Sequence, residues 1–262
     1  MRTCTLRILA AFACLAAAAA PPALAAGPGH LDGFLPSAAH AAGRFGSFWT
    51  TDIWIYQQGA SSIHLWFNRA GENNSQTESV VVTLTDPVTS LPDVVATLFD
   101  TEGVGSIHYL ADGPVTVTSR TWTAAPGGGS YGQTIAGVAV SQAAVPDTGQ
   151  AGALRVTVDQ AVGFRANLGL VNVAGVPASV AMEIFTADGQ AAPGSSSFTV
   201  ELPPYGMTQL NDLLARLHPG QRQGLIIRAS VVSPQGAVLA YLSEVDNLTN
   251  DASYQEAFRF GY

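Results

Sequence analysis

The chain repeats itself, and the repeat constrains its fold more than any other feature. Residues Leu91 to Leu98 match residues Leu210 to Leu217 at a shift of 119. In both segments apolar residues fall at i, i+3, i+4 and i+7, the stripe of one helix face. Thr89 and Thr208 precede them and are expected as caps. Asp93 and Asp212 then fall in the first turn, where the helix dipole favours negative charge. Gly105-Ser106-Ile107 falls on Gly224-Leu225-Ile226 at the same shift. Upstream, Asp52 to Tyr56 matches Asn167 to Val171 at a shift of 115. Downstream, Ser130-Tyr131 matches Ser253-Tyr254 at 123. Four segments in the same order, with small drifts between them, are the mark of duplicated units separated by loop insertions.

Each copy reads as several short strands and one short helix. In the second copy strands are expected near 164–173, 178–185, 197–202, 225–232, 237–245 and 254–260, with the helix over 208–217. Gly175-Val176-Pro177 and Asp188-Gly189 supply turns. Val, Thr, Ser, Ala and Gly dominate, a mixture suited to half-buried strands. The expected fold class is mainly all-β, as two tandem Ig-like antiparallel β-sandwich domains, each with one short helix. The expected boundaries are a signal peptide over 1–25, a lead-in over 26–37, repeat 1 over 38–145, a linker over 146–152 and repeat 2 over 153–262. Two halves of one barrel are the alternative.

Several segments resemble a loose family of exported bacterial proteins with tandem Ig-like β-sandwich modules. They include Trp49-Thr50-Thr51-Asp52, Leu91-Pro92-Asp93-Val94-Val95, Phe164 to Asn172 and Ala240 to Asn247. The resemblance spans nearly the whole chain after the first residues. It implies an architecture and an exported life, and it carries no activity and no site.

The N-terminal residues have the three-part layout of a secretory signal. Arg2 and Arg7 precede the apolar run Ile8 to Ala20, and Ala23-Leu24-Ala25 offers a cleavage site. Cys4 and Cys14 both lie inside it, so the exported chain is expected to lack disulfides and thiol chemistry. Losing two of the 11 basic residues leaves nine, all arginine, against 19 acidic ones, a net charge of −10. Nucleic acid needs a basic stripe and is a poor partner for such a chain. No membrane span is expected after signal cleavage. The sequence sets no oligomeric state.

No constellation points to catalysis, and the expectation is a protein that is not an enzyme. Gly128-Gly129-Ser130-Tyr131-Gly132 fits the G-x-S-x-G pattern, but lies in a glycine-rich turn between β segments. The histidines form no H-x-x-H cluster. Glu183, Asp188, Glu201, Glu244 and Asp246 provide acids with no spacing that selects a glycosidase pair. No cofactor is expected. The one cation candidate is calcium, on Asp246, Asn247 and Asp251 of an oxygen-rich loop; an Asx-type turn is the plainer reading.

Trp49, Trp54, Trp66 and Trp122 all belong to the first copy, and Gly169 stands opposite Trp54 in the second. Tryptophans ordinarily fill cores, and that is the first expectation for all four. The strand period qualifies it: Asp52, Trp54 and Tyr56 share one face, and Ile53 and Ile55 point the other way. That face is the candidate ligand-binding surface. The expected function is binding or adhesion to extracellular carbohydrate or a cell-surface protein. A structural spacer or envelope scaffold, and a periplasmic assembly chaperone, are the alternatives.

Overall fold

The computed structural model describes residues 29–146, 148–154, 163–194, 197–211, 213 and 224–261. The expected signal peptide, residues 212 and 214–217 of the expected second helix, and His218 lie outside these. The first half runs β1 (His30–Ala42), β2 (Phe48–Gln57), β3 (Ser62–Arg69), β4 (Val80–Thr83), β5 (Val88–Leu91), α1 (Val94–Thr97), β6 (Gly103–Ala124), β7 (Ser130–Ala136) and β8 (Val138–Ala139). The second half runs β9 (Thr148–Leu154), β10 (Phe164–Asn172), β11 (Ala178–Thr186), β12 (Phe198–Leu202), β13 (Met207–Leu210), β14 (Leu225–Val231), β15 (Val238–Asp246), β16 (Ala252–Glu256) and β17 (Phe258–Gly261). The protein is mainly β, and its strands pair antiparallel in three sheets.

Apart from a β1–β2 pairing found in the first half, the pairing scheme recurs in both halves. β2 lies between β5 and β6, as β10 lies between β13 and β15. β3 pairs β4 and β6, as β11 pairs β12 and β14. β1 pairs β6 and β8, as β9 pairs β14 and β17. The register agrees with two of the sequence shifts, since Ile53 faces Leu91 and Leu168 faces Leu210. The third slips by one residue in the strand. Ile107 faces the core, but Leu225 and Ile227, not Ile226, do so in β14. A one-residue slip in a period-two element exchanges the two faces. The fourth also moves: Ser253 stands opposite Glu244, whose counterpart Thr121 faces Gln133, not Ser130.

The halves differ at one joint. In the second, residues 232–237 separate β14 from β15, giving a four-stranded and a five-stranded sheet. These face each other across one core, with Leu168, Leu170 and Leu242 on one side and Val180, Ile184 and Ile227 on the other. In the first half β6 runs 22 residues without a break. Its odd-numbered residues from Gly105 to Thr123 are buried throughout. It pairs β1 and β3 with its first part, β2 and β7 with its second. The result is one eight-stranded sheet curled into a half-barrel around Leu35, Ile53, Ile63, Leu65 and Ile107. At the bend Asp112 accepts hydrogen bonds from the hydroxyls and N–H groups of Ser61 and Ser62. These bonds hold its carboxyl well below the usual carboxylate range.

Three expectations meet a different structure. Residues 88–91 and 207–210 are strands, so Thr89 and Thr208 cap no helix; the first helix is the single turn Val94–Thr97. Sheet pairing along β2 and β10 outweighs the local helical stripe. Strand β1 begins inside the expected lead-in. Most of the expected linker, from Thr148, is β9 in the middle of a sheet.

The halves also share a core. Phe34, Val138 and Ala143 of the first pack on Val171, Met207, Leu239 and Tyr241 of the second. Asn74 reaches across as well: its N–H donates to the Pro204 carbonyl at 3.0 Å, and its Nδ2 donates to the Tyr205 carbonyl at 3.1 Å. The β10–β15 layer is therefore covered on both faces, and both strands are buried almost without alternation.

Candidate functional site

The alternation of β2 sets the candidate surface. Ile53 and Ile55 are fully buried, and Trp54 and Tyr56 keep 36% and 48% of their surface exposed. The neighbouring strands extend this face. Trp54 stands between Ser90 and Thr118, and Tyr56 between Val88 and Thr116. Ser90, Val88 and Thr116 are exposed too. The surface is three strands wide and carries two exposed aromatic side chains with hydroxyls beside them.

Asp52 is placed on the same face and has a supporting role. Its Oδ1 accepts the Asp93 N–H at 2.8 Å, and its Oδ2 accepts the Trp122 indole N–H at 2.8 Å. It thereby fixes the start of α1 and the Trp122 ring. Arg120 lies opposite Asp52 in the ladder, with its guanidinium 5.9 Å from the Trp122 ring centre.

The expectation that tryptophans fill the core is overturned. None of the four belongs to a hydrophobic cluster. Trp66 stacks on His108 at 4.7 Å, and His108 stacks on Phe34 at 4.5 Å, in one cross-strand row on the outside of the curled sheet. The contrast between Trp54 and Gly169 has a steric cause. A Cβ on Gly169 would lie 1.9 Å from the Tyr241 ring. That face of β10 is covered by Tyr241 and the first half, so it takes glycine where β2 takes tryptophan.

In the loop considered for calcium, oxygens meet N–H donors. Asp246 Oδ1 accepts the Leu248 and Thr249 N–H groups at 2.7 and 3.1 Å. The Asp251 N–H donates to Thr249 Oγ1, and its carbonyl accepts the Asp246 N–H. Arg165 donates to Asn247 Oδ1 at 2.6 Å and Asn250 Oδ1 at 3.3 Å. This is an Asx turn braced by a guanidinium, and a metal ion at Asn247 would have to displace that guanidinium. Among the described residues no three His, Asp or Glu side chains gather as a metal site.

The other motifs resolve into local roles. Ser130 begins β7 after a hairpin turn in which Gly127, Gly128 and Gly129 all have positive φ. Its Oγ accepts from Arg120 at 2.8 Å, and no strand–elbow–helix surrounds it. Glu183 pairs Arg228 across the ladder, Glu201 accepts from Ser179, and Asp188 accepts from Thr186, a bond that lowers its pKa. His40 bonds Asp93, His64 bonds Ser79 and His108 bonds Asp32. Among the described residues no helix is long and apolar enough to cross a membrane.

Comparison with known proteins finds no matching family model and no matching curated protein.

Proposed function

We propose that this is an exported, non-enzymatic protein that binds carbohydrate, on a cell surface or in the extracellular medium, through the open face of β2. The observation that carries the reading is the exposure of Trp54 and Tyr56, two residues apart on the outer face of β2. Aromatic faces laid open beside Ser90, Thr116 and Thr118 suit the apolar face and hydroxyl rim of a sugar ring. Covering such large apolar side chains with a ligand removes apolar surface from water, which is favourable. The same proposal takes the chain as two Ig-like units, related to the resembling exported family, in which an unbroken β6 has fused the two sheets of the first. The recurring pairing order supports that part.

The test is a glycan array with the native protein, followed by titration of any hit against Trp54→Ala and Tyr56→Ala. Each substitution is expected to weaken binding at least tenfold, in line with about 1–3 kcal/mol for an aromatic anchor, with the melting temperature unchanged. A blank array with a self-associating protein would favour a scaffold role. A hit that ignores both substitutions would place the site elsewhere.

A further inference from the structure

We propose that the saccharide on the β2 face is an acidic one, a chain of sugar rings that carry carboxylates, and that Arg120 reads the charge. This rests on the carbohydrate reading of that face and names its ligand class. The face does not end at the two aromatic residues. Along the β2–β6 ladder, Tyr56 stands opposite Thr116, Trp54 opposite Thr118 and Asp52 opposite Arg120. The β6 residues of these pairs alternate with buried ones, so they share the outer side. β7 adds a fourth strand: Thr134 stands beside Arg120 and Ala136 beside Thr118, both exposed. Rungs on one face of a strand follow each other at about 7 Å, two residues at roughly 3.4 Å each. Arg120 leaves the backbone one rung from Trp54, and a short oligosaccharide covers both.

The state of the guanidinium carries the inference. Its Nη2 donates to Ser130 Oγ at 2.8 Å, and its carbon lies 5.9 Å from the Trp122 ring centre. Among the described residues Arg120 forms no ion pair. Asp52, the acid opposite, gives its two oxygens to the Asp93 N–H and the Trp122 indole N–H, each at 2.8 Å. Arg228 shows the ordinary arrangement: it faces Glu183 across the β11–β14 ladder and pairs with it. In a chain with 19 acidic residues and a net charge of −8, a half-buried guanidinium held by a hydroxyl and a ring is an exception. The molecule as a whole repels anions, so an anionic ligand needs such a local point of attraction.

The chemistry of the face suits a carboxylate borne on a sugar. A guanidinium matches a planar carboxylate with two parallel hydrogen bonds. Ser130 and Trp122 hold that fork in place before any ligand arrives. Trp54 and Tyr56 take the apolar faces of sugar rings. The exposed Thr116 and Thr134 hydroxyls donate and accept at once, as sugar hydroxyls require. A neutral glycan would use the rings and the threonines and leave the guanidinium without a counter-charge; a uronate uses all of them.

The test is calorimetric titration with trigalacturonate and with its methyl ester, which keeps the rings and removes the charge. The proteins are native, Trp54→Ala, Arg120→Gln and Arg120→Lys. Native protein is expected to bind the acid saturably and the ester at least tenfold more weakly. Trp54→Ala should weaken both ligands at least tenfold. Arg120→Gln should bring the acid down to the level of the ester and leave the ester unchanged, which also shows the face intact. Arg120→Lys keeps the charge without the fork and should retain only part of the preference. Raising salt from about 0.05 to about 0.5 M should weaken the acid and spare the ester. Equal binding of acid and ester, both lost in Trp54→Ala, overturns this inference and leaves the β2 reading standing. A preference for the acid that survives both Arg120 substitutions overturns it as well, since the charge is then read elsewhere. Acid binding indifferent to Trp54→Ala overturns both. Binding of neither ligand overturns the acidic class, and the glycan array then decides the β2 reading alone.

Discussion

At the scale of single residues, two positions carry more than their chemistry suggests. Gly169 is there because of Tyr241, a fully buried ring whose hydroxyl donates to Gln209 at 2.9 Å and whose pKa burial pushes above the usual phenol value. Gly169→Ala would drive a methyl into that ring. It is expected to cost about 1–3 kcal/mol, as overpacking does, read as a lower urea midpoint with an unchanged slope. A variant as stable as the native protein would show that Tyr241 can move freely. Asp52 is the second. Its two oxygens satisfy two N–H donors from segments 41 and 70 residues away. Asp52→Ala orphans both and should lose about 1–3 kcal/mol. Trp122 emission should shift as its indole loses that bond, and a spectrum identical to the native one would refute the supporting role.

At the scale of elements, what the sequence reveals follows the period-two rule. Five strands of the second half, β10, β11, β12, β14 and β15, were legible to within two residues because apolar runs end at Gly or Pro turns; β9 lies in the expected linker, β13 in the expected helix, and β16 and β17 share one expected strand. The outward turn of Trp54 and Tyr56 was legible from alternation: Ile53 and Ile55 demand the other face. The helical stripe at residues 91–98 was only half legible. Val94, Val95 and Leu98 do pack inward, but Leu91 does so from the end of β5. A stripe of four residues cannot tell a helix from a strand that runs into one turn. The continuity of β6 was not legible. Gly113-Pro114 reads as a break, yet Pro114 points outward from a strand that bends and continues, with its missing N–H costing no pair. Nor was the contact between the halves, because Phe34 meets Val171, Leu239 and Tyr241 from more than a hundred positions away, and local patterns carry no information on which outer faces meet.

At the scale of the whole molecule, the shared core decides how the halves behave. The outer face of β10 and β15 presents Val171, Leu239 and Tyr241 to the first half, and Phe34 fills the space between them. Each large apolar side chain buried there stabilises the contact by about 1.5–3 kcal/mol. That is a sizeable share of the 5–15 kcal/mol by which a domain is folded. Neither half can leave the other without exposing this layer. Heat unfolding is therefore expected as one transition, with equal calorimetric and van't Hoff enthalpies. Phe34→Ala probes the coupling directly. Phe34 is fully buried and belongs to the first half by sequence, but its loss is expected to destabilise the single transition of the entire chain by about 3–5 kcal/mol. Two resolved transitions, with only the lower one shifted by Phe34→Ala, would show instead that the halves fold as independent units that merely touch.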